Sequence, residues 1–373
     1  MSIFIEINLI SFNMKTHNRC TLLVDGNWLL CSRFAVIGKG FEMDMPDHVK
    51  AHSQKELQEL MAKSITIVLN RFACIDNVVL VTDGGSWRKQ LPVPQQLQNV
   101  TYKGNRAPAK ELDWKYIYGA LTDLSDACKD LGITVSNHSS IEGDDWVWYW
   151  SRRLNADGTS CIIWSSDNDL KQLVQVDSGT CAFTAWYNDK NGVWFSDDLN
   201  EDQLDDLDFF MQPIRVKSPL LENLKQSSRT TSFIKPDDIV MEKIICGDAG
   251  DNIKSIAKTI SGSKTYKVSI KMWNEIKSNL NINCLEEFFE SKYDIIDEIL
   301  SIKKFANCNI DDLAEMFDYN IKLVWLNESV IPETIVMYMN QIDYNVVDVN
   351  YVKSNFRTMC SKNTTIEDIF ESI

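Results

Sequence analysis

Histidine is scarce in this 373-residue chain, with four copies, and the ten cysteines include no CxxC pair. That argues against a zinc site of the usual Cys or His spacing. Scattered cysteines fit reduced thiols in a cytoplasmic setting. His48 and His52 stand four apart, but in an acidic, loop-like stretch that does not read as a metal centre. No apolar run reaches the roughly 18 residues of a membrane span, so no membrane association is expected. The opening MSIFIEINLI lacks a basic n-region and a small-residue cleavage site, which argues against a signal peptide. There is no internal repeat and no low-complexity tract. Positive charge is also short, and the net charge is −15. Taken alone, that excess speaks against a nucleic-acid partner, because phosphate repels carboxylate. The average misleads if many carboxylates are spent on cations, so their placement has to decide.

What is present is an ordinary globular composition, 44% hydrophobic and 24% charged. The length suits one large domain or two modest ones. TLLVDGNWLL (21–30), NVVLVTDGG (77–85) and SCIIWSSDNDL (160–170) each begin as a short apolar run and end at aspartate. Short, non-alternating apolar runs suit buried parallel strands. Longer helical patterns lie between them, as in QKELQELMAKSITIVLNRF (54–72), so an α/β sheet with right-handed crossovers is predicted. TAWYNDKNGVWF (184–195) reads as a hairpin. An acidic stretch (197–208) follows, then a basic loop or linker (213–236) carrying Arg215, Lys217, Lys225, Arg229 and Lys235. From about 237 onward the pattern is mainly helical and forms a second lobe.

In open α/β sheets, function gathers at the carboxyl ends of strands. Asp25, Asp83 and Asp167 all stand there, and IEGDDWVWYW (141–150) adds Glu142, Asp144 and Asp145 at a helix start. One such aspartate carries little weight, since Asp bonds local backbone at turns and is favoured at helix N-termini. Together on one rim they would push each other's pKa upward unless cations were bound. Oxygen-only ligands select hard ions such as Mg²⁺, with Mn²⁺ as a substitute. Two ions on such a rim point to phosphoryl transfer. Trp146, Val147, Trp150 and Leu154 fit the buried face of the helix that presents the acids. The segment 86–116 interleaves Arg88, Lys89, Lys103, Arg106, Lys110 and Lys115 with Trp87, Tyr102 and Trp114. Basic and aromatic residues together suit single-stranded nucleic acid, although a solvated surface would show the same composition.

VDGNWLLCSR, TDGGSWRK, YKGNR, EGDDW, SSDNDLKQL and GDAGDNI occur in the order and rough spacing of the 5′-nuclease superfamily of flap endonucleases and 5′→3′ exonucleases. The chain resembles that family, and within it the bacteriophage members of the T-even ribonuclease H type. The motifs span about residues 21–255. The resemblance implies a PIN-like parallel-sheet nuclease core (1–212) with a helical arch near 86–125. It also implies a mainly helical C-terminal lobe (237–373) with a helix-hairpin-helix-like duplex anchor near 247–275. It assigns Asp25, Asp83, Glu142, Asp144 and Asp167 to a first Mg²⁺, with Asp145 assisting. Asp169, Asp248 and Asp251 go to a second. Arg88, Lys103 and Arg106 are placed at the base of the arch near the phosphate, and Tyr102 on a base. The implied partners are branched, nicked or RNA-primed duplexes with a free 5′ end and a single-strand-binding protein, met by a monomer during phage replication or repair.

One segment departs from the family. After GDAGDNI a glycine-rich turn is usual, whereas this chain reads KSIAKTISGSKTYKVSIK (254–271), in which only Gly262 remains. Lys258, Lys264, Lys267 and Lys271 are the candidates to replace backbone contacts by charge. A non-catalytic nucleic-acid-binding protein of the same fold is the alternative, distinguished by lost carboxylates, and none of the nine is lost. A small PIN-type ribonuclease would explain the acidic rim, but not YKGNR or the second lobe.

Overall fold

Apolar side chains on consecutive residues need cover on both faces of a strand, and the sheet supplies it. The computed structural model describes residues 19–360, apart from 73, 99, 107–110, 198–230 and 262. Strand β1 (Cys20–Asp25) lies between β2 (Ile75–Val81), which β3 (Thr134–Ser136) extends, and β4 (Ser160–Trp164). All three pairings are parallel. Leu22 and Val24 enter one buried cluster with α1 (Gly26–Ile37), α2 (Asp47–Arg71) and α3 (Trp114–Asp130). Leu23, between them, enters another with α4 (Gly143–Ala156). Helices therefore cover both faces of the sheet. Trp146, Val147, Trp150 and Leu154 are buried on the inner side of α4, as its apolar spacing predicts.

Beyond β4 the sheet continues through β6 (Phe183–Asn188), β7 (Gly192–Ser196) and β8 (Thr231–Ile234), with the short β5 (Gln175–Val176) on β6. β6 and β7 form the expected antiparallel hairpin. β8 pairs in parallel with β7, so the last residues of the predicted linker are sheet rather than loop. Of that linker's basic residues, Arg215, Lys217, Lys225 and Arg229 lie outside the described residues, as do most of the acidic stretch before it, Lys110 and Gly262.

The second lobe begins with α5 (Pro236–Cys246), continues through the hairpin strands β9 (Lys258–Ser261) and β10 (Lys264–Lys267), and then α6 (Ile270–Asn279). Helices α7 (Leu285–Glu290), α8 (Lys292–Ser301) and α9 (Ile310–Val324) complete its core. The chain then turns back. Around α10 (Glu333–Met339), Ile331 and Met339 join the cluster under α4. Val352 and Phe356 of α11 (Val349–Met359) are fully buried against the α2 side of the sheet. The predicted boundary at 237 is thus not a clean division, because apolar faces at both chain ends share one core. No helix among the described residues is long and apolar enough to cross a membrane.

The expected helical arch is corrected as well. Among the described residues, 86–113 contain two short 3₁₀ turns, Trp87–Gln90 and Gln95–Leu97, a further turn at 102–105, and no α-helix. Pro92 and Pro94 remove backbone donors that a helix there would need. The helix that follows, α3, buries its apolar side in the core.

A large-to-small change under α2 leaves a cavity, at a cost of about 3–5 kcal/mol for Phe to Ala. Phe356→Ala should therefore unfold the sheet lobe at distinctly lower urea, read by intrinsic tryptophan fluorescence, despite its position near the end of the chain.

Candidate active site in an acidic cleft

Each acidic side chain on the rim is set by a local backbone requirement. Asp25 ends β1 and caps α1, accepting from Trp28 N at 2.9 Å, and its other oxygen accepts from Ser165 Oγ at 2.7 Å. Asp83 accepts from Gly143 N at 2.5 Å, which ties the end of β2 to the start of α4. Two glycines follow Asp83 because the chain runs against a neighbouring loop. A Cβ on Gly84 would meet His138 O at 1.8 Å, and one on Gly85 would meet Ser139 O at 2.1 Å. Glu142 caps α4 in a reciprocal capping box with Asp145. Asp167 caps the 3₁₀ turn Asn168–Leu173 and accepts from Asp169 N at 2.9 Å.

The second lobe meets this rim through a strap. Leu97 and Tyr102 are buried in its core. Lys103 N donates to Asp251 O at 2.9 Å, Asn105 Nδ2 to Ala249 O at 2.9 Å, and Asn252 Nδ2 to Thr101 O at 2.9 Å. YKGNR and GDAGDN are thereby fastened together. Lys103 takes a left-handed backbone, φ 55°, which is uncommon for a residue with a side chain. From there its Nζ donates to Glu142 Oε1 at 2.6 Å and lies 3.8 Å from Asp251 Oδ2. Arg106 pairs with Asp251 on the other carboxylate oxygen.

Charge then divides the acids into groups. Burial pushes Asp25 up to about 7, with Asp83 and Asp167 adding to the shift. Burial also raises Asp83. Asp144 is raised well above the carboxylate range by burial, then by Asp167, Asp83 and Asp25, against the pull of Lys103. Burial takes Asp169 to about 6, with Asp167 adding and Lys243 opposing. Glu142 goes the other way. Burial would raise it, but Lys103 and Arg88 outweigh burial and hold it below its ordinary value. Burial would likewise raise Asp248, yet Lys243 and the backbone N–H groups of Gly250 and Asp251 hold it low.

All nine predicted carboxylates are thus reached by the same cleft or its supports, with differences from the expected grouping. Asp169 and Asp248 share Lys243, 2.5 Å from Asp248 Oδ2, whereas Asp251 faces Lys103 and Arg106 beside Glu142. Asp145 is fully buried and accepts from Arg88 Nη2 at 2.8 Å and Trp87 Nε1 at 3.1 Å, so it supports Glu142 from behind. Arg88 does not face a phosphate. It is 2% exposed and also donates to Glu142 Oε2 at 3.0 Å, because two buried carboxylates demand a countercharge. Tyr102 is not placed to stack on a base: its ring is buried in the second core and its hydroxyl points between Glu142 and Asp251. Lys258, Lys264, Lys267 and Lys271 are exposed on and just after the β9–β10 hairpin, away from the carboxylates. Lys243 is the residue that sequence reasoning missed. A basic residue in the last turn of a helix is ordinary dipole matching, which hides any further role.

Among the described residues, no three acidic, histidine or cysteine side chains close on one point as a ready-made metal cage. Lysine ammoniums stand among the carboxylates instead.

The ordered motifs therefore meet at one cleft, and a curated relative shares most of their span. A 5′-3′ exonuclease of Mycoplasmopsis pulmonis (strain UAB CTIP) is 25% identical over 311 residues, 83% of this chain and 81% of the relative. No family model matches this chain. Among solved structures, T5 5′-exonuclease with divalent metal ions (zinc) bound aligns at a TM-score of 0.48 and 16% identity, over 92% of this chain and 100% of the other chain. Bacteriophage T5 flap endonuclease, in a pseudo-enzyme-product complex with DNA and metal ions, aligns at 0.49 and 17%, over 91% and 99%.

Removing one partner from a buried ion pair costs about 3–5 kcal/mol, because the remaining charge is left uncompensated. Arg88→Met should therefore lower the unfolding free energy of the protein by that order in urea titrations. Arg106→Met, whose side chain is 57% exposed, should change it by far less.

Proposed function

We propose that this protein is a structure-specific 5′ nuclease, a 5′→3′ exonuclease and flap endonuclease that hydrolyses phosphodiesters in DNA and in RNA-primer strands. One observation carries the reading: two lobes bring eight carboxylates, with Asp145 buried behind them, and the Lys103–Arg106 strap to a single cleft at the carboxyl end of a parallel sheet. The alternative, a binding protein that keeps the fold without the chemistry, gives no reason to hold Asp25 and Asp144 in a state that burial disfavours.

The donor set fits hard divalent cations. It offers oxygen only, and its anions are destabilised by burial and by each other, which bound positive charge would relieve. Asp25, Asp83, Asp144 and Asp167, with Glu142 beside them, would hold one Mg²⁺. Asp169 and Asp248, with Asp251 nearby, would serve a second. When bound, such ions supply the charge that polarises a phosphodiester toward attack by water. The rest falls to the protein. Lys103 and Arg106 reach the cleft from the strap and are placed to hold a phosphate against the carboxylates that would otherwise repel it. Arg88 and Asp145 keep Glu142 ionised and oriented. Lys243 keeps Asp169 and Asp248 together. Water oxygen bonds to phosphorus as the bond to the 3′ oxygen breaks, leaving a 5′-phosphate and a 3′-hydroxyl. Branched, nicked and RNA-primed duplexes with a free 5′ end are the proposed substrates.

Cleavage of 5′-labelled flap and nicked duplexes should stop with EDTA and return with Mg²⁺ or Mn²⁺. Full activity in chelator would reject the reading. Asp144→Asn should abolish turnover while leaving the fold and duplex binding nearly unchanged.

A lost charge-assisted contact is worth about 1.5–3 kcal/mol, or about tenfold and upward in rate. Lys103→Ala and Arg106→Ala should each slow single-turnover cleavage to that degree, with a smaller effect on duplex affinity. Equal rates in both variants and the parent would make the strap a bystander.

A further inference from the structure

The 3₁₀ turn Asn168–Leu173 has Asp167 as its cap and Asp169 at its start, so its placement decides where two rim carboxylates lie. Six residues is long for such a turn, since runs beyond three or four are uncommon. It needs support from outside. Leu170 and Leu173 are fully buried in the cluster with α4. Gln172 ties the turn to the end of α9 and the residues just after it, donating to Val324 O at 3.2 Å and accepting from Leu326 N at 2.9 Å. Lys243 holds Asp169 from α5.

Lys171 is held in another way. It is 9% exposed, and among the described residues no carboxylate pairs with its ammonium. Its Nζ lies 3.9 Å from the Trp194 ring centroid and 4.4 Å from that of Trp186. These indoles stand directly opposite each other on β6 and β7, with centroids 6.4 Å apart and planes at 74°. An ammonium over a ring face is drawn to the ring's quadrupole, more strongly once water is excluded. Two ring faces stand in for the missing countercharge.

The clasp leads back to the rim. Trp186 is fully buried, and its Nε1 donates to Asp167 O at 3.0 Å. That bond requires one rotation of the indole, with the N–H toward the turn. Lys171 lies over the same ring, so the turn grips Trp186 at its face and at its edge. Trp194 adds an independent sign. Its Nε1 is buried without a hydrogen-bond partner among the described residues, so its own polar atom does not set its orientation. Its ring face on Lys171 does.

We propose that Lys171 is a positioning residue for phosphodiester cleavage. Clasped between Trp186 and Trp194, it keeps the Trp186 N–H on the Asp167 carbonyl and thereby holds Asp167 and Asp169 in the orientation a divalent cation needs. The inference rests on the nuclease reading and adds to it a residue that touches neither phosphate nor any of the nine carboxylate groups. The charge of Lys171, rather than its aliphatic stem, is what acts.

Lys171→Met keeps an apolar stem and removes the charge, and Lys171→Arg restores a cation. The first readout is the indole N–H resonance of Trp186 in metal-free protein, assigned by its loss in Trp186→Phe. It should move upfield in Lys171→Met, as the bond to Asp167 weakens, and stay near the parental position in Lys171→Arg. The second readout is Mn²⁺ affinity by calorimetry, together with the Mg²⁺ concentration for half-maximal cleavage of a flap duplex. Lys171→Met should need about tenfold more of either metal, and Lys171→Arg should recover most of that loss. Trp194→Leu removes one ring face and should move both readouts in the direction of Lys171→Met. A lysine that merely fills space predicts the opposite, because replacing a buried charge by an apolar group of like volume is often neutral or stabilising. A parental resonance and metal requirement in Lys171→Met, or a Lys171→Arg protein indistinguishable from Lys171→Met, would overturn the clasp. Should Lys171→Met not fold, parental readouts in Trp194→Leu would overturn it equally. The resonance is read without substrate or metal. A parent protein that cleaves no duplex would therefore count against the nuclease reading alone, and an unmoved resonance in a cleaving protein would count against the clasp alone.

Discussion

Charge balance in the cleft is the constraint on which the rest of the structure depends. Nine carboxylates are brought to one region, and among the described residues four cations, Arg88, Lys103, Arg106 and Lys243, bond to them. These cations arrive from three pieces of chain, and they tie those pieces in place. Arg88 fixes the turn after β2 to the start of α4. Lys103 and Arg106 fasten the strap to both lobes. Lys243 joins the end of α5 to the turn after β4. The same pairs that make the acids tolerable also assemble the cleft.

The balance is incomplete, and the imbalance is local. Glu142 and Asp248 are held low by their cations, whereas burial leaves Asp25, Asp83 and Asp144 raised. The protein thus separates carboxylates that support from carboxylates that stay short of positive charge. The second set lies at the sheet's carboxyl edge.

Several parts of this picture were legible in the sequence. Three apolar runs ending at aspartate foretold three parallel strands with a shared acidic rim, because both the burial of such runs and the placement of their ends follow from sheet geometry. The tryptophans after Asp145 were legible as core from helical spacing. Arg88, Tyr102 and the arch were not. A basic residue beside an aromatic has the same local pattern whether it faces solvent or a buried carboxylate. Only the packing of Trp87 and Tyr102 into two different cores shows which way the neighbouring charges point. Lys243 was hidden because a lysine in a last helical turn needs no special explanation.

The sequence by itself determined which side chains are available: carboxylates rather than clustered imidazoles or thiolates, their order along the chain, and a strand–helix alternation that brings them to one edge. These are properties of residue type and short-range period, and they survive any detail of packing. The tertiary structure alone decided which acid meets which cation and that the chain's far end closes over α2. Those outcomes depend on contacts between segments more than a hundred residues apart, such as Arg106 with Asp251 and Phe356 with the sheet core. Local sequence cannot encode such a contact, because its energy exists only after both segments have folded into reach.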